Sequence, residues 1–176
     1  RMFRGEEIGH LETEEAAAAF TEPLKVTGME ADPALVNAVV KEVEGYPYFI
    51  QLWGAELWDS AVAADASRLT TALLKATTPE IYRRLDLDFY EPRVSTLTPA
   101  EQDVLLATAV CSYPPLMTLA LNDTINKTPG NINVLLGRLV EAGVLYRIRK
   151  GQYEYTAPKF REYLLRRTQA GDYAPY

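Results

Sequence analysis

The sequence is short of the residues that build covalent or metal chemistry. Cys111 is the only cysteine and His10 the only histidine. One thiol cannot close a disulfide within the chain, and one cysteine with one histidine do not make a metal cluster. A Ser/His/Asp set would have to be built on His10 alone, so a hidden hydrolase is not expected. Asp86 and Asp88 stand two apart, and on a helix they point in different directions rather than sharing an acid–base site. No apolar run approaches the roughly 20 residues of a membrane span, and no signal-peptide pattern is present. Cys111 lies in an apolar run and reads as a small core residue. A cytoplasmic protein is expected, with no membrane partner. A first residue of Arg1 rather than Met suggests a fragment of a longer protein.

An overall excess of positive charge is also missing. The 176 residues carry a net charge of −6, where a protein that coats nucleic acid is usually basic. The deficit is uneven. Residues 1–96 hold 9 Lys/Arg against 17 Asp/Glu, while residues 97–167 hold 9 against 6. Only the second half has the charge for a basic face. Apolar residues make up 48% of the chain, enough for a globular protein.

The first half reads as helices. Met2-Phe3 and Ile8 suit a strand, and 1–11 reads as a remnant of a preceding domain. Thr13 is placed to cap a helix carrying Ala16 to Phe20, with a bend or end near Pro23. Asp32-Pro33 starts a second, with Leu35, Val36, Val39, Val40 and Val43 as its apolar stripe. Gly45-Tyr46-Pro47 then turns the chain: glycine supplies positive φ at a helix end, and proline fits the first turn of the next helix. Tyr46, Phe49, Ile50, Trp53 and Leu57 recur at helical spacing and predict an aromatic stripe facing a core. Leu69, Leu73 and Ala76 mark a fourth helix, and Pro79 opens a fifth. Residues 12–90 therefore read as a bundle of four or five helices, and 91–97, aperiodic and containing Pro92, as a linker.

The second half changes character. Thr98-Pro99-Ala100-Glu101 is a capping box with proline at the first helical position. Its helix stops at Tyr113-Pro114-Pro115, a short helix spans about 118–125, and Thr128-Pro129 caps a third. That third helix has the stripe Ile132, Leu135, Leu136, Leu139 and Val140, closed by Gly143. Residues 144–148 and 152–156 alternate as two strands around Arg149-Lys150-Gly151. A last helix starts near Pro158 with Phe160, Tyr163 and Leu164 on one side, and 169–176 form a tail. Three helices and a hairpin are the order of a winged helix-turn-helix, placed at 98–168. The expected fold is mainly α: a helical bundle, then a winged helix with a small β-hairpin.

Candidate contacts follow from that order. The open face of the third helix presents Asn131, Asn133, Val134, Gly137 and Arg138, with Thr128 at its start. In a helix-turn-helix such residues enter the major groove, where Asn pairs with adenine and Arg with guanine. Arg147, Arg149 and Lys150 on the wing suit phosphate contacts. A solvated helix face and hairpin tip would have the same composition, and winged helices also dock proteins, so duplex DNA and a protein partner both stay open.

The motifs Gly45-Tyr46-Pro47-Tyr48-Phe49-Ile50-Gln51, Leu97-Thr98-Pro99-Ala100-Glu101, 139–146 and 155–160, in that order, resemble the C-terminal region of AAA+ and STAND-type P-loop ATPases related to origin-recognition initiators. The resemblance implies a helical lid over 1–90, a winged helix after it, and a nucleotide near Gly45, Tyr46 and Pro47. It implies a nucleotide-switched parent protein whose other partner is the ATPase core. No Gly-x-x-x-x-Gly-Lys-Ser/Thr loop occurs, no apolar run ends in paired acids, and Tyr48 stands about where initiator lids carry an arginine. The chain is thus expected to be no enzyme by itself, and ATP and Mg²⁺ to belong to the parent alone. The rival readings are a winged-helix transcription regulator whose helical half senses a ligand or dimerises, and a protein-interaction module.

Overall fold

The computed structural model describes residues 10–111, 115–122 and 124–169. The chain is mainly α and divides into two compact units, 1–84 and 85–176. The expectations for Met2-Phe3, Ile8, Tyr113-Pro114 and the tail beyond Gln169 lie outside the described residues.

The first unit packs α1 (Thr13–Thr27), α2 (Pro33–Val43), α3 (Pro47–Ala63) and α4 (Thr71–Arg84). Ala16, Phe20 and Leu24 from α1 and Leu35, Val39 and Val43 from α2 are buried with Phe49, Ile50, Trp53 and Leu57 of α3. Tyr46 is half-buried at the head of that stripe. Three local readings need correction. Glu12, not Thr13, caps α1, in a capping box with Glu15. Pro23 does not end α1, which runs on to Gly28 in left-handed conformation, its N–H reaching the Leu24 and Lys25 carbonyls. Pro79 opens no fifth helix but lies inside α4, where buried Thr77 and Ile81 anchor the turns on either side of it.

Two strands of two residues join this bundle. β1 (Glu30–Ala31) pairs in parallel with β2 (Arg68–Leu69). Arg68 binds the carboxylates of Glu30 and Asp32 across the ladder, so the Asp32 side chain serves the ion pair and not the cap of α2.

The second unit opens with a π-helical turn, Leu85–Tyr90, and α5 (Glu91–Ser95). The segment read as an aperiodic linker is thus helical in its first five residues. Pro92 sits in the first turn, where no N–H is needed, and Val94 and Leu97 are buried. There follow α6 (Pro99–Val110), β3 (Leu116–Met117), α7 (Thr118–Asn122), α8 (Pro129–Glu141), β4 (Leu145–Arg149), β5 (Gln152–Tyr155) and α9 (Phe160–Gln169). The sheet is antiparallel in the order β3-β5-β4. β3 adds a strand to the expected hairpin, giving a winged-helix-like unit.

Its core joins Val104, Leu105 and Ala109 of α6 to Ile132, Leu136 and Leu139 of α8 and Phe160 and Leu164 of α9. α9 is also held by charge. Arg166 binds Asp86 through two nitrogens, and Arg167 and the Tyr163 hydroxyl both bind Glu91. Burial and the bond to Glu91 push the Tyr163 phenol well above its usual pKa.

Candidate nucleic-acid interface

α8 forms because Thr128 and Pro129 start it well. The Thr128 side chain accepts the Asn131 N–H at 3.4 Å, and proline occupies the first turn. With Ile132, Leu135, Leu136 and Leu139 turned to the core, Asn131, Asn133, Val134 and Arg138 are left exposed. Gly143 at φ 70° ends the helix and feeds β4.

A groove of about 680 Å³ runs between α8 and the β4–β5 hairpin. Asn133, Gly137 and Glu141 line it from α8, Arg147, Lys150 and Tyr153 from the hairpin, and Leu119 from α7. The structure therefore brings Asn133, Arg147 and Lys150 together. Among the described residues neither Arg147 nor Lys150 has an acidic partner within ion-pair distance. Glu141 puts one negative charge on the same groove. Thr128, Asn131, Arg138 and Arg149 do not line it. Arg138 lies 3.7 Å from Glu101 of α6, and Arg149 donates to the Gln152 side chain at 2.6 Å.

The Glu101 carboxylate is committed twice. It accepts the Thr98 N–H at 2.8 Å, completing the capping box of α6, and it faces Arg138. Those hydrogen bonds, with the Thr98 contacts first, hold it below its ordinary pKa.

The Gly45 turn has a different character. Gly45 has φ 70°, and its carbonyl accepts the Leu11 N–H at 2.8 Å. His10 Nδ1 donates to the Glu44 carbonyl at 2.7 Å, and its ring meets Tyr46 edge-on. A cavity of about 400 Å³ beside the turn is lined by Gly45, Lys41, Asn37 and the head of α1, whereas Tyr46 and Pro47 are not on it. Cys111 is buried, its sulfur 3.2 Å from the Thr124 hydroxyl. Among the described residues no three His, Cys, Asp or Glu side chains cluster as metal ligands, and no helix is long and apolar enough to cross a membrane.

A family model described as "Domain of unknown function (DUF8462)" matches residues 87–164, within the second unit. No curated protein matches the chain. Among solved structures, the chain is similar to the Thermotoga maritima RuvB Holliday junction branch migration motor, at 16% identity and a TM-score of 0.43, over 90% of this chain and 50% of that one. An arginine-to-alanine variant of the same RuvB gives 15% identity and a TM-score of 0.46 over the same shares. The chain thus spans about half the length of these structures.

Sequence reasoning selected Asn133, Arg147 and Lys150 but missed Glu141, Leu119 and Tyr153. Glu141 was legible, since it lies two turns beyond Asn133 on one helix face. Tyr153 reaches the groove as the cross-strand partner of Arg147, and Leu119 because β3 carries the chain beside β5, a two-residue strand that leaves no periodic trace.

Proposed function

We propose that the chain is a binding and not a catalytic part of a larger nucleotide-switched protein, and that its second unit engages duplex DNA through α8 and the hairpin. The observation that carries this reading is the groove in which Asn133 of α8 faces Arg147 and Lys150 of the hairpin. Its two cations can neutralise phosphates while an amide from the helix reaches a base edge. In the same reading the first unit is a lid, and the Gly45 turn lies toward a nucleotide held by a core outside this sequence. Buried Cys111 fits work in the cytoplasm. The chain by itself is expected to turn over no ATP, since it has no phosphate loop.

A protein partner is the second reading. Val134 on α8 is 55% exposed and Leu119 at the groove 73%, which gives this surface apolar points that DNA phosphates do not use. Titration of a labelled short duplex with the whole chain at low salt separates the two. DNA binding should be weak, about 10⁻⁴–10⁻⁶ M at physiological salt, and tighten as salt is removed. Binding that is absent at low salt, or indifferent to joint Arg147→Ala and Lys150→Ala replacement, would leave the protein partner as the reading.

A further inference from the structure

The hairpin has two chemically different faces. Cross-strand partners share a face of a sheet. Arg147 pairs with Tyr153, and both look into the groove against α8. Tyr146 pairs with Glu154, so it stands on the opposite face, where its hydroxyl donates to the Glu154 carboxylate at 2.7 Å. That bond fixes the ring and pushes the phenol pKa up to about 12. Ile148 sits in the irregularity between Arg147 and Arg149. Tyr146 is 45% and Ile148 47% exposed, and every residue of β4 after Leu145 is exposed. β4 is also an edge of the sheet, with Arg147 turned to the groove and the exposed Tyr146 ring on the opposite face.

Building on the DNA reading of the groove, we propose that the hairpin separates two parts of one DNA ligand. Duplex backbone lies on the Arg147 and Lys150 face, and an unpaired base stacks on Tyr146 beside Ile148. A fixed, half-exposed ring accepts the face of any base. Glu154 beside the ring repels phosphate, which favours the base itself over the backbone. The ligand class is therefore duplex DNA continued by single strand, in preference to a blunt duplex.

The experiment titrates the whole chain into three fluorescein-labelled probes: a blunt duplex, the same duplex with an unpaired arm, and the arm alone. A second set carries 2-aminopurine at the first unpaired position. The tailed duplex should bind about five- to tenfold tighter than the blunt one, the scale of one stacked base, and 2-aminopurine should be quenched. Tyr146→Ala should abolish both the preference and the quench. Tyr146→Phe, which keeps the ring, should retain them. Equal affinity for tailed and blunt duplexes without quenching overturns the two-faced hairpin and leaves the duplex reading standing. Tightest binding to the arm alone also overturns it. Failure to bind any of the probes overturns the DNA reading itself.

Discussion

Gly45 and Leu11 meet backbone to backbone. Leu11 donates its N–H to the Gly45 carbonyl, and a Cβ added to Gly45 would stand 2.1 Å from the Leu11 carbonyl oxygen. Together with φ 70°, this leaves no other residue room. Gly45→Ala is expected to cost at least about 2 kcal/mol, combining left-handed strain with a clash that only backbone movement relieves. Chemical denaturation of the two proteins measures it. A loss below about 0.5 kcal/mol would mean that the segment at Leu11 is not seated on the turn.

Trp53 is completely buried, its ring tilted by 30° to that of Phe49 and edge-on to Tyr82. Trp53→Ala should cost about 3–5 kcal/mol, as large aromatic truncations do. Its indole N–H has no hydrogen-bond partner among the described residues. Trp53→Phe therefore sacrifices volume but removes an unsatisfied donor, and should cost clearly less than the alanine change. Equal losses in denaturant melts would overturn that order.

Much of this core could be read from spacing. The stripe from Phe49 to Leu57, the left-handed Gly45 and the capping box at Thr98 are local patterns, set by helix period and by unpaired N–H groups at helix ends. What escaped is non-local. Nothing near Arg68 announces that it will pair with Glu30 and Asp32 across 36 or more residues. Leu116 and Met117 become a strand only because β5 lies beside them. Pro79 was read as a boundary because proline forfeits a helical hydrogen bond, yet tertiary burial of Thr77 and Ile81 outweighs that loss. The same competition explains α5: a proline-bearing segment is helical because Val94 and Leu97 have a core to enter. At the site, residue types on α8 were legible but their partition was not. Sequence places Asn133 and Arg138 on one open face, while the fold sends Asn133 to the groove and Arg138 toward Glu101.

Glu101 should leave a mark on acid stability. Its carboxyl is held below the ordinary value of 4.5, chiefly by the hydrogen bonds from Thr98. A depressed carboxylate adds stability that is fully present above its unfolded pKa and is lost as pH falls through the lower folded value. Stability should therefore decline from about pH 4.5 downward, and Glu101→Gln should flatten that decline while lowering stability at neutral pH. Thr98→Ala, which removes the other half of the capping box, should cost about 1 kcal/mol at pH 7. Denaturant melts across a pH series test both, and an unchanged acid limb in the glutamine variant would refute the assignment.

The groove makes a prediction about salt. Arg147 and Lys150 stand in it opposite Asn133, and Glu141 shares it. Each cation that neutralises a phosphate releases counterions, so its removal should reduce the slope of log affinity against log salt by about 1. The double alanine variant should lose about two units of slope and weaken binding to every duplex alike. Glu141→Gln removes a repulsive charge and should tighten binding about two- to fivefold, the scale of one screened surface charge. Asn133→Ala should behave differently. It carries no charge, so the salt slope should stay constant while discrimination among sequences falls at one base pair. Arg138 lies 3.7 Å from Glu101 and off the groove, so Arg138→Ala should lower discrimination less than Asn133→Ala. Anisotropy titrations over a salt series with two duplexes differing at single positions separate these effects. If the double cation variant keeps the parental slope, phosphates do not lie on this face of the hairpin.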